Sequence, residues 1–167
     1  MRMELIQPFI NAADAVLSES LQSMAKIGDV SMEEETYRRK GIAAMIKIEG
    51  DIEGRVIFDL DPPTAAKIAG HFAGGPVEES DSLVRETVCE LANQVIGNAV
   101  TSLNDSGMRF KISPPELHTD AEGMKGSEDS EALVMCFETP NGSVYMNIVM
   151  RYHRRRRAER TATVASS

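Results

Sequence analysis

The chain has 167 residues, 42% of them hydrophobic and 26% charged, which suits one domain with a sizeable core. No apolar run reaches the roughly 18–20 residues of a membrane span. The opening MRMELIQPFINAAD lacks the apolar core and cleavage pattern of a signal peptide, so a cytoplasmic location is the expectation. Charge is uneven, with a net −13 over residues 1–150 and +5 over residues 151–167; an acidic body of this kind repels nucleic acid.

In chain order, Leu5, Ile6, Phe9, Ile10, Ala13, Val16, Leu17, Leu21 and Met24 recur at helical spacing and predict an amphipathic helix over 5–26. Pro8 places its start near residue 7, and Gly28 is its stop. Residues 29–40, charged and aperiodic, read as a loop or a short edge strand. Ile42–Ile48 and Val56–Leu60 read as a hairpin, with EGDIEG supplying the turn. Asp61 is placed to cap a short helix, Pro62 fits its first position and Gly74-Gly75-Pro76 ends it. A long helix follows, from Ser80 or Asp81 to Asn104, with Gly107 as terminator. Arg109–Ile112 reads as a strand stopped by Ser113-Pro114-Pro115, and residues 118–131 as a polar surface loop. Leu133–Phe137 and Val144–Tyr152 form a second hairpin around Asn141-Gly142. Strands arriving as hairpins rather than in βαβ alternation predict an α+β fold. The expectation is a single two-layer domain, an antiparallel or mixed sheet of about six strands with three helices on one face. Residues 1–150 make up the domain; residues 151–167 hold the end of the last strand and a basic tail. The Arg154–Arg157 run reads as a solvated terminus or as a weak contact with an acidic partner or lipid head groups.

Most chemistry-bearing residues are scattered. Cys89 and Cys136 are too few for a disulfide framework and form no CxxC pair, and His71, His118 and His153 are far apart, so no metal site is predicted. The ten methionines read as core filler, and Glu33-Glu34-Glu35 as a solvated charge run.

The long helix is different. On a wheel at about 100° per residue, Val84, Val88, Leu91, Ala92, Val95, Ala99 and Leu103 form one apolar stripe. Glu86, Glu90, Asn93, Gln94, Gly97, Thr101 and Asn104 gather within about 60° of Glu90 on the opposite side. That face lacks the Lys and Arg expected of a plain solvated face. A mid-helix glycine costs about 1 kcal/mol relative to alanine, so Gly97 suggests close approach, by a neighbouring element of this chain or by another molecule. Glu90 and Asn93 are neighbours at i, i+3, with no Ser, Cys or His arranged as nucleophile and base. A carboxylate and an amide can still anchor a partner and position a water, enough for hydrolysis of an already activated phosphoryl group.

The stretch ETVCELANQVIGNAVTSLNDSGMRFKISPPEL, with Glu90-x-x-Asn93 and the later Ser113-Pro114-Pro115, resembles the CheX branch of the CheC/CheX/FliY phosphatases. QPFINAADAVLSESL resembles the opening helix of that branch, and GRVIFDLDPPTAAKIAGHFAGGPVEESDS the strand and short helix before the motif. The likeness covers residues 4–150 in order. It implies hydrolysis of phospho-aspartate on a CheY-type response regulator. Glu90 would anchor the regulator through a lysine, Asn93 would orient water, and Glu86, Gln94, Gly97 and Thr101 would make up the partner-binding surface. No cofactor of its own is implied; Mg²⁺ is expected on the phosphorylated partner, and a homodimer is usual for CheX-like proteins. Two departures stand out: Glu86 occupies a position often held by Asp or Ser, and the proline after the motif comes about one residue early. Glu4 and Gln7 on the first helix have comparable spacing but lack the surrounding pattern, which leaves one motif. Two alternatives stay open: a module that binds a receiver domain or motility partner without hydrolysis, and a helix face that packs within its own chain.

Overall fold

The sheet is built on side-chain alternation. The structure, a computed structural model, describes residues 3–21, 26–33, 41–118 and 132–153, with the backbone alone for 26–33 and 132. The described elements run α1 (Met3–Ser20), β1 (Lys26–Glu33), β2 (Ile42–Gly50), β3 (Ile52–Leu60), α2 (Pro62–Ala73), α3 (Ser82–Asp105), β4 (Phe110–Ile112), β5 (Glu116–His118), β6 (Ala132–Thr139) and β7 (Gly142–Tyr152). The strands pair in the order β1-β6-β7-β3-β2-β4, with β5 also on β2, and every pairing is antiparallel. β4 pairs with residues 48–50 of β2 and β5 with residues 43–45, so these two short strands share one edge. Seven strands therefore fill six positions, the α+β architecture expected from the hairpin pattern.

Ile42, Ala44, Ile46 and Ile48 of β2, Val56, Phe58 and Leu60 of β3, and Val144, Met146, Ile148 and Met150 of β7 share one core with the three helices. The opposite phase, Ala43 and Ile57 with Met45 and Val134 against them, forms a separate small cluster on the other face. A period of two puts alternate residues on opposite faces, so the helices lie on one side of the sheet.

Helix termini follow local chemistry where it is strong. Asp61 accepts from the Thr64 N–H at 2.8 Å, Pro62 and Pro63 take the first positions of α2, and Gly74 ends it at φ 80°. Asp81 caps α3 by accepting from the Leu83 N–H at 2.9 Å, and Gly107, at φ 85°, donates its N–H to the Asn104 carbonyl at 2.9 Å.

Four expectations need correction. Helix α1 is already formed at Met3, so Pro8 lies inside it rather than at its start. Pro8 removes the bond to the Glu4 carbonyl, yet Leu5 and Ile6 are fully buried and the Tyr152 hydroxyl donates to Glu4 at 3.1 Å, so tertiary packing holds the first turn. Gly28 is not a helix stop: it lies in β1, where the pairing with β6 shifts between Ile27 and Val30, and a glycine suits such a bulge. This makes residues 26–33 a full edge strand, while residues 34–40 lie outside the described residues. EGDIEG is not all turn, because Ile52 and Glu53 pair with Tyr152 and Arg151 of β7, while Gly50 on the other limb pairs with Phe110 of β4. Each limb of the hairpin is extended by its outer neighbour. At Gly54 the β7 backbone comes so close that a Cβ would collide with the Val149 carbonyl. The fourth correction is β5, which ends at His118 where a loop was expected; the loop's remaining residues, 119–131, and the Arg154–Arg157 run lie outside the described residues.

Candidate functional site

Helix α3 is held firmly on one side and open on the other. Val84, Thr87, Val88, Leu91, Ala92, Val95, Ile96, Ala99 and Leu103 are buried, including every member of the predicted apolar stripe. Ala92, Val95 and Ile96 sit over Ala44, Ile46, Val56 and Phe58 of the sheet. Each fully buried aliphatic side chain contributes about 1.5–3 kcal/mol. A helix anchored this way tolerates the cost of about 1 kcal/mol for Gly97.

The six predicted site residues, Glu86, Glu90, Asn93, Gln94, Gly97 and Thr101, are all exposed on the opposite side. Among the described residues, nothing of this chain covers that face. Among the described residues a Cβ added at Gly97 would meet nothing within 4 Å, so no described neighbouring element explains the glycine. The Gln94 side-chain amide donates to Glu90 Oε1 at 3.1 Å, and the Thr101 hydroxyl donates to the Gly97 carbonyl at 3.0 Å. An exposed i, i+4 pair is worth only about 0.2–0.5 kcal/mol, so Gln94 steers the Glu90 carboxylate without locking it. Among the described residues, the Asn93 amide makes no hydrogen bond and Glu86 has no ion-pair partner. Arg85 precedes Glu86 in the chain but points about 100° round the helix from it.

Cys89 borders this face and is half-buried; burial pushes its thiol pKa up. The nucleophilic thiolate is correspondingly scarce at neutral pH. Among the described residues no three His, Cys, Asp or Glu side chains are grouped as metal ligands, and no helix is long and apolar enough to cross a membrane.

One part of the site escaped the sequence reading. A groove of about 340 Å³ runs beside Glu90, lined by Phe72, Leu83, Glu86, Thr87, Glu90, Leu91 and Gln94. Phe72 lies at the end of α2, and its side chain meets α3 only through the packing of the two helices. The one signal in the sequence was an aromatic residue beside the glycines that end α2.

The described residues form a two-layer α+β domain in which α3 exposes the Asn93 amide and the Glu90 carboxylate on the side away from the sheet. The family model for chemotaxis phosphatase CheX matches residues 42–138, more than half of the chain, and the chain belongs to that family. It is 25% identical over 118 residues to the CheY-P phosphatase CheX of Thermotoga maritima, covering 70% of this chain and 76% of that protein. It is also similar to the CheX of a CheX-CheY-BeF3-Mg²⁺ complex from Borrelia burgdorferi, at 32% identity and a TM-score of 0.73, over 90% of this chain and 99% of that one. A CheC-like superfamily protein from Shewanella sp. PV-4 has the same fold, with a TM-score of 0.81 at 22% identity over 90% of this chain and 99% of that one.

Proposed function

We propose that this protein hydrolyses the phospho-aspartate of a CheY-type response regulator, with Glu90 as the anchor and Asn93 as the residue that orients water. Membership of the CheX family supports the reaction class. The observation that carries the residue assignment is the free Asn93 amide, one turn from a carboxylate steered by Gln94, on the exposed face of a helix fixed to the sheet. In the reaction, water attacks phosphorus, the bond from phosphorus to the aspartyl oxygen breaks, and the regulator regains its carboxylate as inorganic phosphate departs. The barrier is lowered mainly by position, which an amide supplies by holding the water in line. Glu90 exchanges its weak bond to Gln94 for a cation of the regulator, a stronger charge-assisted bond. Gly97 leaves the helix backbone open to close approach, and Thr101 keeps its hydroxyl turned onto the Gly97 carbonyl.

The Mg²⁺ belongs, in this proposal, to the phosphorylated regulator. A cytoplasmic location and a homodimer complete it. The test is decay of phosphoryl label on receiver domains in Mg²⁺, with this protein substoichiometric and Asn93→Ala as control. Faster decay that needs Asn93 is the expected result. Unchanged decay across the receivers, with binding retained, would instead make the protein a binding module.

A further inference from the structure

Phe72 is 49% exposed, one of three large hydrophobic side chains so exposed among the described residues, with Met3 and Ile112. A lone exposed aromatic would be ordinary. Phe72 is distinguished by its setting as one wall of the groove that continues into the Glu90–Asn93 face. Its ring meets His71 edge-on, with centroids 5.6 Å apart and planes at 73°. Leu83 adds apolar surface to the groove over the buried Leu91, and its carboxylates are Glu86, which has no ion-pair partner among the described residues, and Glu90. Aromatic residues are enriched in protein interfaces, where water exclusion also strengthens neighbouring charge pairs.

We infer that the groove between the end of α2 and the first half of α3 is a specificity subsite for the phosphorylated receiver domain. Phe72 and Leu83 take an apolar side chain of the regulator there, and Glu86 takes a cationic one beside it. The inference rests on the phosphatase reading and adds a second point of attachment to it. Glu90 and Asn93 meet the phosphorylated centre, and the groove meets the surface flanking that centre. The occupant's chemistry follows from the lining, since an acidic groove with an apolar wall complements an apolar side chain next to Lys or Arg. Discrimination between regulators follows as well, because a receiver without that pair leaves Glu86 unpaired and the Phe72 ring wet.

The test measures KM and kcat for dephosphorylation of the two receivers on which the wild-type protein is most and least efficient, together with Kd for their beryllofluoride–Mg²⁺ forms. Phe72→Ala is expected to raise KM and Kd for the preferred receiver about tenfold, with the loss in KM rather than kcat, and to shrink the preference between receivers. Phe72→Leu should recover most of the affinity. Glu86→Lys, at an exposed position that the core does not need, should weaken the preferred receiver and flatten the salt dependence of binding. Wild-type KM and Kd in both Phe72→Ala and Glu86→Lys would overturn the subsite and leave the phosphatase reading intact, because the wild-type protein and Asn93→Ala would still differ. A Phe72→Ala defect confined to kcat would also overturn it. A wild-type protein that neither binds nor dephosphorylates any receiver would overturn both.

Discussion

Helices α1 and α3 carry the same pair of groups at the same spacing, Glu4 with Gln7 and Glu90 with Asn93. Their surroundings differ. On α1 the carboxylate accepts from the Tyr152 hydroxyl at 3.1 Å, tying it to the last strand, and the Gln7 amide donates to Asn11 at 2.9 Å. On α3 the carboxylate is held only by the weak Gln94 contact, and the Asn93 amide is free among the described residues. Spacing alone therefore does not define a site. A carboxylate bonded to its own fold supports that fold, whereas a free amide on a rigid face is available to a partner. The glycine differs too: Gly97 opens the α3 face one turn beyond Asn93, while α1 has Pro8 beside its amide.

The sharpest way to break this contrast is Asn93→Ala. It should lower kcat by about 10²-fold, about 2.7 kcal/mol of barrier, with an unchanged melting temperature. Full phosphatase activity in this variant would remove the distinction between the two helices. Glu90→Ala should come next, raising KM about tenfold as the anchor is lost, an effect seen equally in binding of the beryllofluoride-activated receiver.

Gly97→Ala should move stability and activity in opposite directions. Alanine has open space there and gains about 1 kcal/mol in an exposed helix interior. A rise in melting temperature of about 2–4 °C is expected for a chain of this size. Receiver binding should weaken at the same time; a stabilised variant with undiminished binding would mean that no partner approaches the backbone at residue 97. Tyr152→Phe, on the α1 side, should cost about 0.5–1.5 kcal/mol in chemical denaturation through the lost bond to Glu4, with dephosphorylation unaffected. The smallest effect belongs to Gln7→Ala, within about 0.5 kcal/mol of wild type in stability and without effect on receiver decay.

Legibility in the sequence followed the range of the forces involved. Asp61, Pro62 and Gly74 set the limits of α2, and Asp81 and Gly107 those of α3, by bonds that span a few residues, so these limits were readable. The apolar stripe of α3 was readable too, because helical period alone puts Val84 through Leu103 on one side. Pro8 misled because its local preference was outweighed by burial of Leu5 and Ile6 and by Tyr152, more than a hundred residues away. Gly28, Ile52 and β5 misled for the same kind of reason: β6, β7 and β2 supply hydrogen bonds that no local pattern announces. Glu90, Asn93 and Gly97 were found as a polar face. Whether that face was open depended on packing, and the one sequence signal for Phe72, an aromatic beside the glycines that end α2, did not place it next to Glu90.

By itself, then, the sequence determined the α+β composition of elements, most helix ends and the sidedness of α3, all consequences of residue period and short-range capping. Only the tertiary structure decided which strands extend beyond their local signals, which of two similar carboxylate–amide pairs is left free, and which aromatic side chain borders the free one. Those outcomes depend on contacts between residues distant in the chain, whose energies exceed the local preferences they override.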